Sequence, residues 1–434
     1  MRRPLNIFWF RRDLRLEDNT GLGHALAAGL PVLPVFIFDT DILSSLEDPS
    51  DPRVAFIHTR ILYMQEQVVK KGSGIHAFHG RPVEIFRELI QTYEVKNIFT
   101  NHDYEPYAIR RDEEIKSLAK EKGVGFSSYK DQVIFEKSEI VKENGEPYSV
   151  FTPYARKWKE KLEGVTLSSQ KVNFTAFLPQ AGSIPSLQDI GFNKSSITPS
   201  VIPQVENELI LRYDSTRDIP GIEGTSRLGV HLRFGTISIR QLVKKALDHP
   251  SKFLDELIWR EFFQAILWHF PQVVHQSFRP QFDKIRWRNN EQEFGAWCEG
   301  RTGYPLVDAG MRELAATGFM HNRVRMVTAS FLVKHLLVDW RWGEAWFASK
   351  LLDYEMSSNV GNWQWVAGSG CDAAPYYRIF NPTIQQKKFD PEGVYVRRWV
   401  PEYDTLEYPL PIVEHGMARE RFLKVMETRN QAHN

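Results

Sequence analysis

The sequence predicts two folding units of different class: an amino-terminal doubly wound parallel sheet of the α/β type, then an all-α unit. Three observations carry this. A length of 434 residues exceeds what a single hydrophobic core usually serves. Short apolar runs alternate with helix-period segments through the first third of the chain. Beyond about residue 205 helical periodicity continues with almost no strand signal.

Taken in order, Leu5 to Phe10, Pro31 to Phe38, Ile75 to His79 and Asn97 to Asn101 read as strands buried on both faces, because they are apolar without alternation. Between them, Arg53 to Lys71 places Val54, Ile57, Ile61, Met64 and Val68 on one helical face that closes at Gly72. These elements make residues 1–135 one α/β domain. Ser, Pro and Gly cluster without period in VTLSSQ, PQAGSIPS and NKSSITPSVIPQ, so residues 136–204 are expected to be an interdomain connection. Helical patterns at Arg240 to Asp248, Phe253 to His269, Ala309 to Thr317 and Asn322 to Val338 make residues 205–434 a helical domain.

The net charge is +1, from 55 basic and 54 acidic residues, so affinity for a polyanion has to come from a local patch. With 42% apolar and 25% charged residues, the chain is neither disordered nor of low complexity. Cys298 and Cys371 are the two cysteines, and they lack CxxC or Cys/His spacing, against zinc and against a disulfide framework. No metal is expected. Arg11, Arg12 and Asp13 break the first apolar run too early for a secretory signal, and no apolar stretch is long enough to span a bilayer. A soluble, cytoplasmic protein follows as the expectation.

Gly21-Leu22-Gly23-His24-Ala25-Leu26 imitates the start of a dinucleotide fingerprint, but Leu26 stands where the third glycine is required and the strand ends well before it. The Rossmann-like unit is therefore assigned no nucleotide. In Glu223-Gly224-Thr225-Ser226-Arg227-Leu228-Gly229, hydroxyls, backbone amides and a cation precede a helical run. That suits a pyrophosphate, and equally a helix cap by Thr225 or Ser226. Ten of the 12 tryptophans lie in the helical part, where core packing competes with a flat cofactor, stacked bases or electron transfer. Arg325 and Asp353, in a region rich in apolar and aromatic residues, are the obvious ion pair.

Several long motifs stand in fixed order: WFRRDLRLEDN, HGRP, VFTPYARKW, EGTSRLG, ELIWREF, TGYPLVDAGMREL, GFMHNRVRMVTASFLVKHLL, DWRWGE, NVGNWQW and DAAPYYRIFNP. Together they resemble the photolyase and cryptochrome family from about residue 5 to residue 415, most closely the class I type of photolyases that act on cyclobutane pyrimidine dimers. The resemblance implies light-dependent repair of UV-damaged DNA by a monomer carrying FAD in the helical domain, with the sheet domain as platform for an antenna pigment. Its alternatives are a cryptochrome-type light sensor and a repair enzyme for 6-4 photoproducts. Phe319-Met320-His321-Asn322 lacks the adjacent histidines of the 6-4 branch, and only a short segment follows Glu414-His415-Gly416, where sensors often extend.

Position by position, the resemblance implies that Tyr213, Thr225, Ser226, Arg227, Leu228 and Gly229 hold the cofactor phosphates, Gly229 replacing a frequent serine. It places Arg325, Asp353 and Glu355 around the ring, with Asn359 facing its N5. Glu256, Trp259, Asn322, Met326 and Trp365 surround a flipped-out dimer, with Glu256, Asn322 and Asn359 as the catalytic set. Trp363, Trp340 and Trp287 form an electron-transfer chain, and Arg217, Arg260, Arg323 and Arg378 line the DNA-facing rim. Tyr107 and Ala108 stand where folate-binding relatives carry an amide and a carboxylate, so a second antenna chromophore of unknown identity is expected not to be folate.

Overall fold

The computed structural model describes residues 3–167 and 172–431; residues 168–171, inside and just after the VTLSSQ stretch, lie outside the described residues. Five parallel strands form one sheet in the order β3-β2-β1-β4-β5: β1 Pro4–Phe10, β2 Val32–Asp39, β3 His76–Gly80, β4 Glu94–Asn101 and β5 Gly125–Tyr129. The four expected strands are present within a few residues of their expected ends. The fifth, with the sequence GFSSY, escapes an apolar criterion because it is a half-exposed edge; Ser127 there accepts from Asn97 Nδ2 at 2.9 Å. β2 is buried along its whole length, as a central strand covered on both faces requires.

The core on one side of the sheet collects Leu5, Ile7, Trp9, Val35, Phe86 and Ile98. Helix Thr20–Ala27 holds the glycines of the false fingerprint, and the structure gives Gly21 a packing role. A Cβ there would meet Asn101 Oδ1 at 2.8 Å and Thr100 O at 2.9 Å. The charged motif after β1 is a buried polar network. Asp131 accepts from Arg15 at 2.8 Å and from Arg240 at 3.0 Å, and Asp18 accepts from Arg240 at 3.1 Å. Buried charge is tolerated here because each member is paired.

The chain divides into two compact units, but not at single boundaries. One unit runs to Glu136 and takes up Gly164–Gln204 and Leu228–Asp248; the other holds Lys137–Glu163, Val205–Arg227 and the chain from His249 on. The stretch expected as a connection is thus split between units. Residues 172–204 of it are irregular chain with two short 3-10 turns, and Leu178 N–H donates to Val32 O at 2.8 Å. The helical unit is built on a core that includes Trp297, Trp340, Phe331, Phe347 and Trp363. Helix Asn322–Ser330 ends earlier than expected, because Phe331–His335 continue as one π-helical turn. No helix among the described residues is long and apolar enough to cross a membrane, and none of their His, Cys, Asp and Glu side chains cluster as metal ligands.

Candidate active site

Three helices of the helical unit present one stripe each to a cavity of about 390 Å³. Glu256, Trp259, Arg260 and Phe263 lie three or four residues apart on Phe253–His269. Asn322, Arg325, Met326 and Ala329 do the same on Asn322–Ser330, and Ser358, Asn359, Asn362, Trp363 and Val366 on Met356–Ala367. Arg217, Phe347, Leu351, Asp353, Tyr354, Glu355 and Trp365 complete the wall. Twelve side chains named from the sequence thus meet at one place: Arg217, Glu256, Trp259, Arg260, Asn322, Arg325, Met326, Asp353, Glu355, Asn359, Trp363 and Trp365.

The polar groups of the wall are fixed before any ligand arrives. Arg325 is anchored by Met320 O at 2.7 Å and reaches Asp353 at 2.9 Å. His321 caps the helix that carries it by accepting from Arg323 N–H at 3.1 Å, and burial lowers its pKa to about 4, which keeps the ring neutral. Asn359 Nδ2 donates to Glu344 Oε1 at 2.9 Å and to Glu344 O at 3.1 Å. Its amide oxygen is therefore the group left to accept a hydrogen bond from a molecule in the cavity. Burial raises the Glu344 carboxyl above its ordinary range, opposed by the bond from Asn359.

Glu256 is paired with Arg217. Burial raises the pKa of Glu256, and the Arg217 charge and hydrogen bond work against that rise. Arg260, expected on the rim, instead sits inside the wall. It donates to Glu355 at 2.9 Å, and Gln264 shares that carboxylate at 3.0 Å. Glu355 is buried and needs a cation, which takes Arg260 out of the positions available to phosphate.

Other expected members lie off the cavity wall. Arg323 holds Asp218 at 2.8 Å and stacks over Phe389, and Arg378 is exposed over Phe380. Tyr213 packs edge-on against Phe253, with Arg217 over its ring. Thr225 and Ser226 are half-buried, and Arg227 has a φ of +49° and pairs with Glu223. Neither hydroxyl caps the following short helix, whose cap position is Leu228. Leu228 and Gly229 belong to the sheet-bearing unit.

Among the aromatics, Trp363 and Trp340 are buried and Trp287 half-buried. The ring contacts of Trp363 go to Phe347 at 5.0 Å and to Trp297 at 6.2 Å, a neighbour that sequence reading did not single out. Phe151 was also missed. Its ring lies parallel to Trp259, with centroids 3.7 Å apart and planes 5° apart, yet it is not part of the cavity wall. It backs a tryptophan that lines the cavity. Only the motif VFTPYARKW pointed near it, since a stack between distant helices has no local signature.

The donors and walls fit a flavin. Phe263, Phe347, Leu351 and Val366 offer apolar faces to a flat ring, Arg325 a fixed cation and Asn359 a fixed acceptor. A second cavity, of about 180 Å³, lies at the carboxyl ends of β2 and β3 among Asp41, Arg81, Tyr107, Arg110, Arg111 and Glu114. Tyr107 there donates to Asp39 at 2.7 Å, and Ala108 is buried.

Residues 6–173 match the family model for DNA photolyase, and residues 253–407 that for the FAD binding domain of DNA photolyase. A deoxyribodipyrimidine photo-lyase of Agrobacterium fabrum is 37% identical over 96% of both chains. Among solved structures, the archaeal photolyase of Sulfolobus tokodaii, crystallised with two FAD molecules, superposes with a TM-score of 0.83 at 35% identity, covering 97% of this chain and 99% of that one. A cryptochrome of Synechocystis reaches 0.81 at 25% identity, covering 98% and 99%. The segment matched as FAD-binding contains the three helices that enclose the larger cavity, and similarity extends along nearly the whole chain: the protein belongs to the DNA photolyase family.

Proposed function

We propose that this chain is a light-driven deoxyribodipyrimidine photo-lyase that splits cyclobutane pyrimidine dimers in DNA. One observation carries the reading: a single cavity combines apolar walls for a flat ring, the Arg325 and Asp353 pair, the Asn359 acceptor and two half-buried tryptophans. FAD, once reduced and excited by blue light, supplies an electron to the dimer and regains it, with no net redox change.

The protein's share is position and electrostatics. Arg325, Asp353 and Asn359 hold the ring, and Glu355 keeps Arg260 and Gln264 in place behind it. Tyr213, Thr225, Ser226 and Arg227 are the helical unit's residues toward the cofactor phosphates. Trp259 and Trp365 stack on splayed pyrimidines, Met326 fills the space beside them, and Glu256 and Asn322 bond their polar edges. Arg217, Arg323 and Arg378 meet DNA phosphates, and Trp363, Trp340 and Trp287 carry an electron from the surface inward. The protein acts as a monomer, and any second pigment bound by the sheet unit is other than folate.

Dimer-containing DNA incubated with reduced protein should regain intact pyrimidines under blue light and not in the dark. Flavin that responds to light with no loss of dimers would make the chain a sensor instead. Mass spectrometry of the released cofactors checks the pigments, and stoichiometric folate would refute that part. Sedimentation tests the monomer.

A further inference from the structure

The two residues that the reading above sends to different partners, Arg217 to a phosphate and Glu256 to the lesion, are bonded to each other in the free protein. Arg217 follows helix Asn207–Thr216 and reaches across to the first turn of Phe253–His269. The pair sits at the cavity wall with side chains 24% and 34% exposed, so either partner can turn without unfolding its helix.

The other arginines of the cavity wall are already paired, and Lys252, one turn earlier in the chain, is exposed to solvent. Asp255, beside it on the same helix, is held by Lys159 at 2.6 Å, and Arg260 by Glu355 at 2.9 Å. Asp218 is held by Arg323 at 2.8 Å, and Arg325 across the cavity by Asp353 at 2.9 Å. Tyr213, the other titratable group facing the carboxylate, carries no positive charge. If Arg217 leaves, Glu256 keeps its desolvation and the repulsion of Asp255 and Asp218 but loses the charge and hydrogen bond that most favour its ionised form.

We propose that a phosphate of bound DNA takes Arg217 from Glu256, and that Glu256 then takes up one proton from solvent and presents an O–H to a carbonyl of the flipped dimer. The exchange rests on the photo-lyase reading. Its bookkeeping is closed: one ion pair breaks, one guanidinium–phosphate pair forms, and one buffer proton neutralises the carboxylate. Guanidinium is well matched to phosphate, and the counterions it displaces favour the swap. An anionic acceptor is thereby converted to a donor only when the substrate is present.

Calorimetric titration of the FAD-loaded protein with dimer-containing DNA, in buffers of different ionisation enthalpy near neutral pH, counts the protons. Wild type should take up about one proton per DNA bound. Glu256→Gln should take up none, and so should Arg217→Met, whose Glu256 is already protonated before DNA arrives. An infrared difference spectrum on DNA addition should contain a protonated carboxylic C=O band in wild type that Glu256→Gln lacks, which keeps the test independent of the Arg217 variant's folding. Wild-type proton uptake persisting in Glu256→Gln, or no uptake by a wild-type protein that binds and repairs the dimer, would overturn the exchange. Failure to prefer dimer-containing DNA at all would instead remove the photo-lyase reading, and the exchange with it.

Discussion

Two helical glycines that look alike in sequence should respond to alanine with opposite signs. Gly343 lies in helix Trp340–Lys350 and Gly295 in Glu291–Cys298. Alanine at either should contribute about 0.5 to 1 kcal/mol through helix propensity. At Gly295 the new methyl meets nothing within 4 Å. At Gly343 it meets Leu332 Cδ2 at 2.6 Å and the six-membered edge of Trp363 more closely still. Trp363 is 2% exposed and packed against Phe347 and Trp297, so overpacking should cost about 1 to 3 kcal/mol. The propensity term cancels between the two variants, leaving Gly343→Ala less stable than Gly295→Ala by about 1 to 3 kcal/mol. Urea unfolding followed by tryptophan fluorescence measures that difference, and flavin photoreduction should slow in Gly343→Ala alone. Equal midpoints with unchanged photoreduction would mean that Trp363 does not rest on Gly343.

Trp363→Phe keeps the bulk and removes the easily oxidised ring, so photoreduction of oxidised flavin, read by its visible absorbance, should fall by an order of magnitude while repair by chemically reduced protein is largely kept. Phe151→Leu should weaken binding of dimer-containing DNA by about 2- to 10-fold, the worth of one aromatic stack, and should add nothing in a Trp259→Ala background. Lys334, buried and donating to Arg378 O at 2.8 Å, has its pKa lowered by burial from 10.5 to about 7. Between those values the unfolded chain binds the extra proton, so this group makes stability rise with pH through that window and leaves its full cost below it. In Lys334→Met that component disappears, and denaturant midpoints across the window should rise less than in wild type.

The parallel sheet and the helical cavity follow from patterns a sequence displays. β1 and β2 are apolar almost throughout and β4 at its Ile98 and Phe99, and the cavity stripes repeat at helical spacing, which is why Glu256, Trp259 and Arg260 could be put on one face from the sequence. Interactions between distant segments were less legible. That Arg260 serves Glu355 depends on two helices meeting, and the apolar context around both residues could be read without their pairing. The parallel stack of Phe151 on Trp259 joins residues more than a hundred positions apart, and no periodicity records it. β5 was hidden because an edge strand with one solvated side can be built from Gly and Ser.

The route of the chain has its own consequence for modularity. Polypeptide passes from one unit to the other five times, so no single cut yields either of them whole. A fragment ending at Glu136 would keep all five strands yet lose Leu178, which bonds β2, and Arg240, which neutralises Asp18 and Asp131. Buried Asp131 would then keep Arg15 but lose Arg240, and buried Asp18 would lose its bonds to Arg240 and Ser238. Such a fragment should fail to fold when expressed alone, and recombination at one junction could not exchange the sheet unit between relatives. Each unit must close long loops before its core is complete, which slows folding and makes the two halves succeed or fail together.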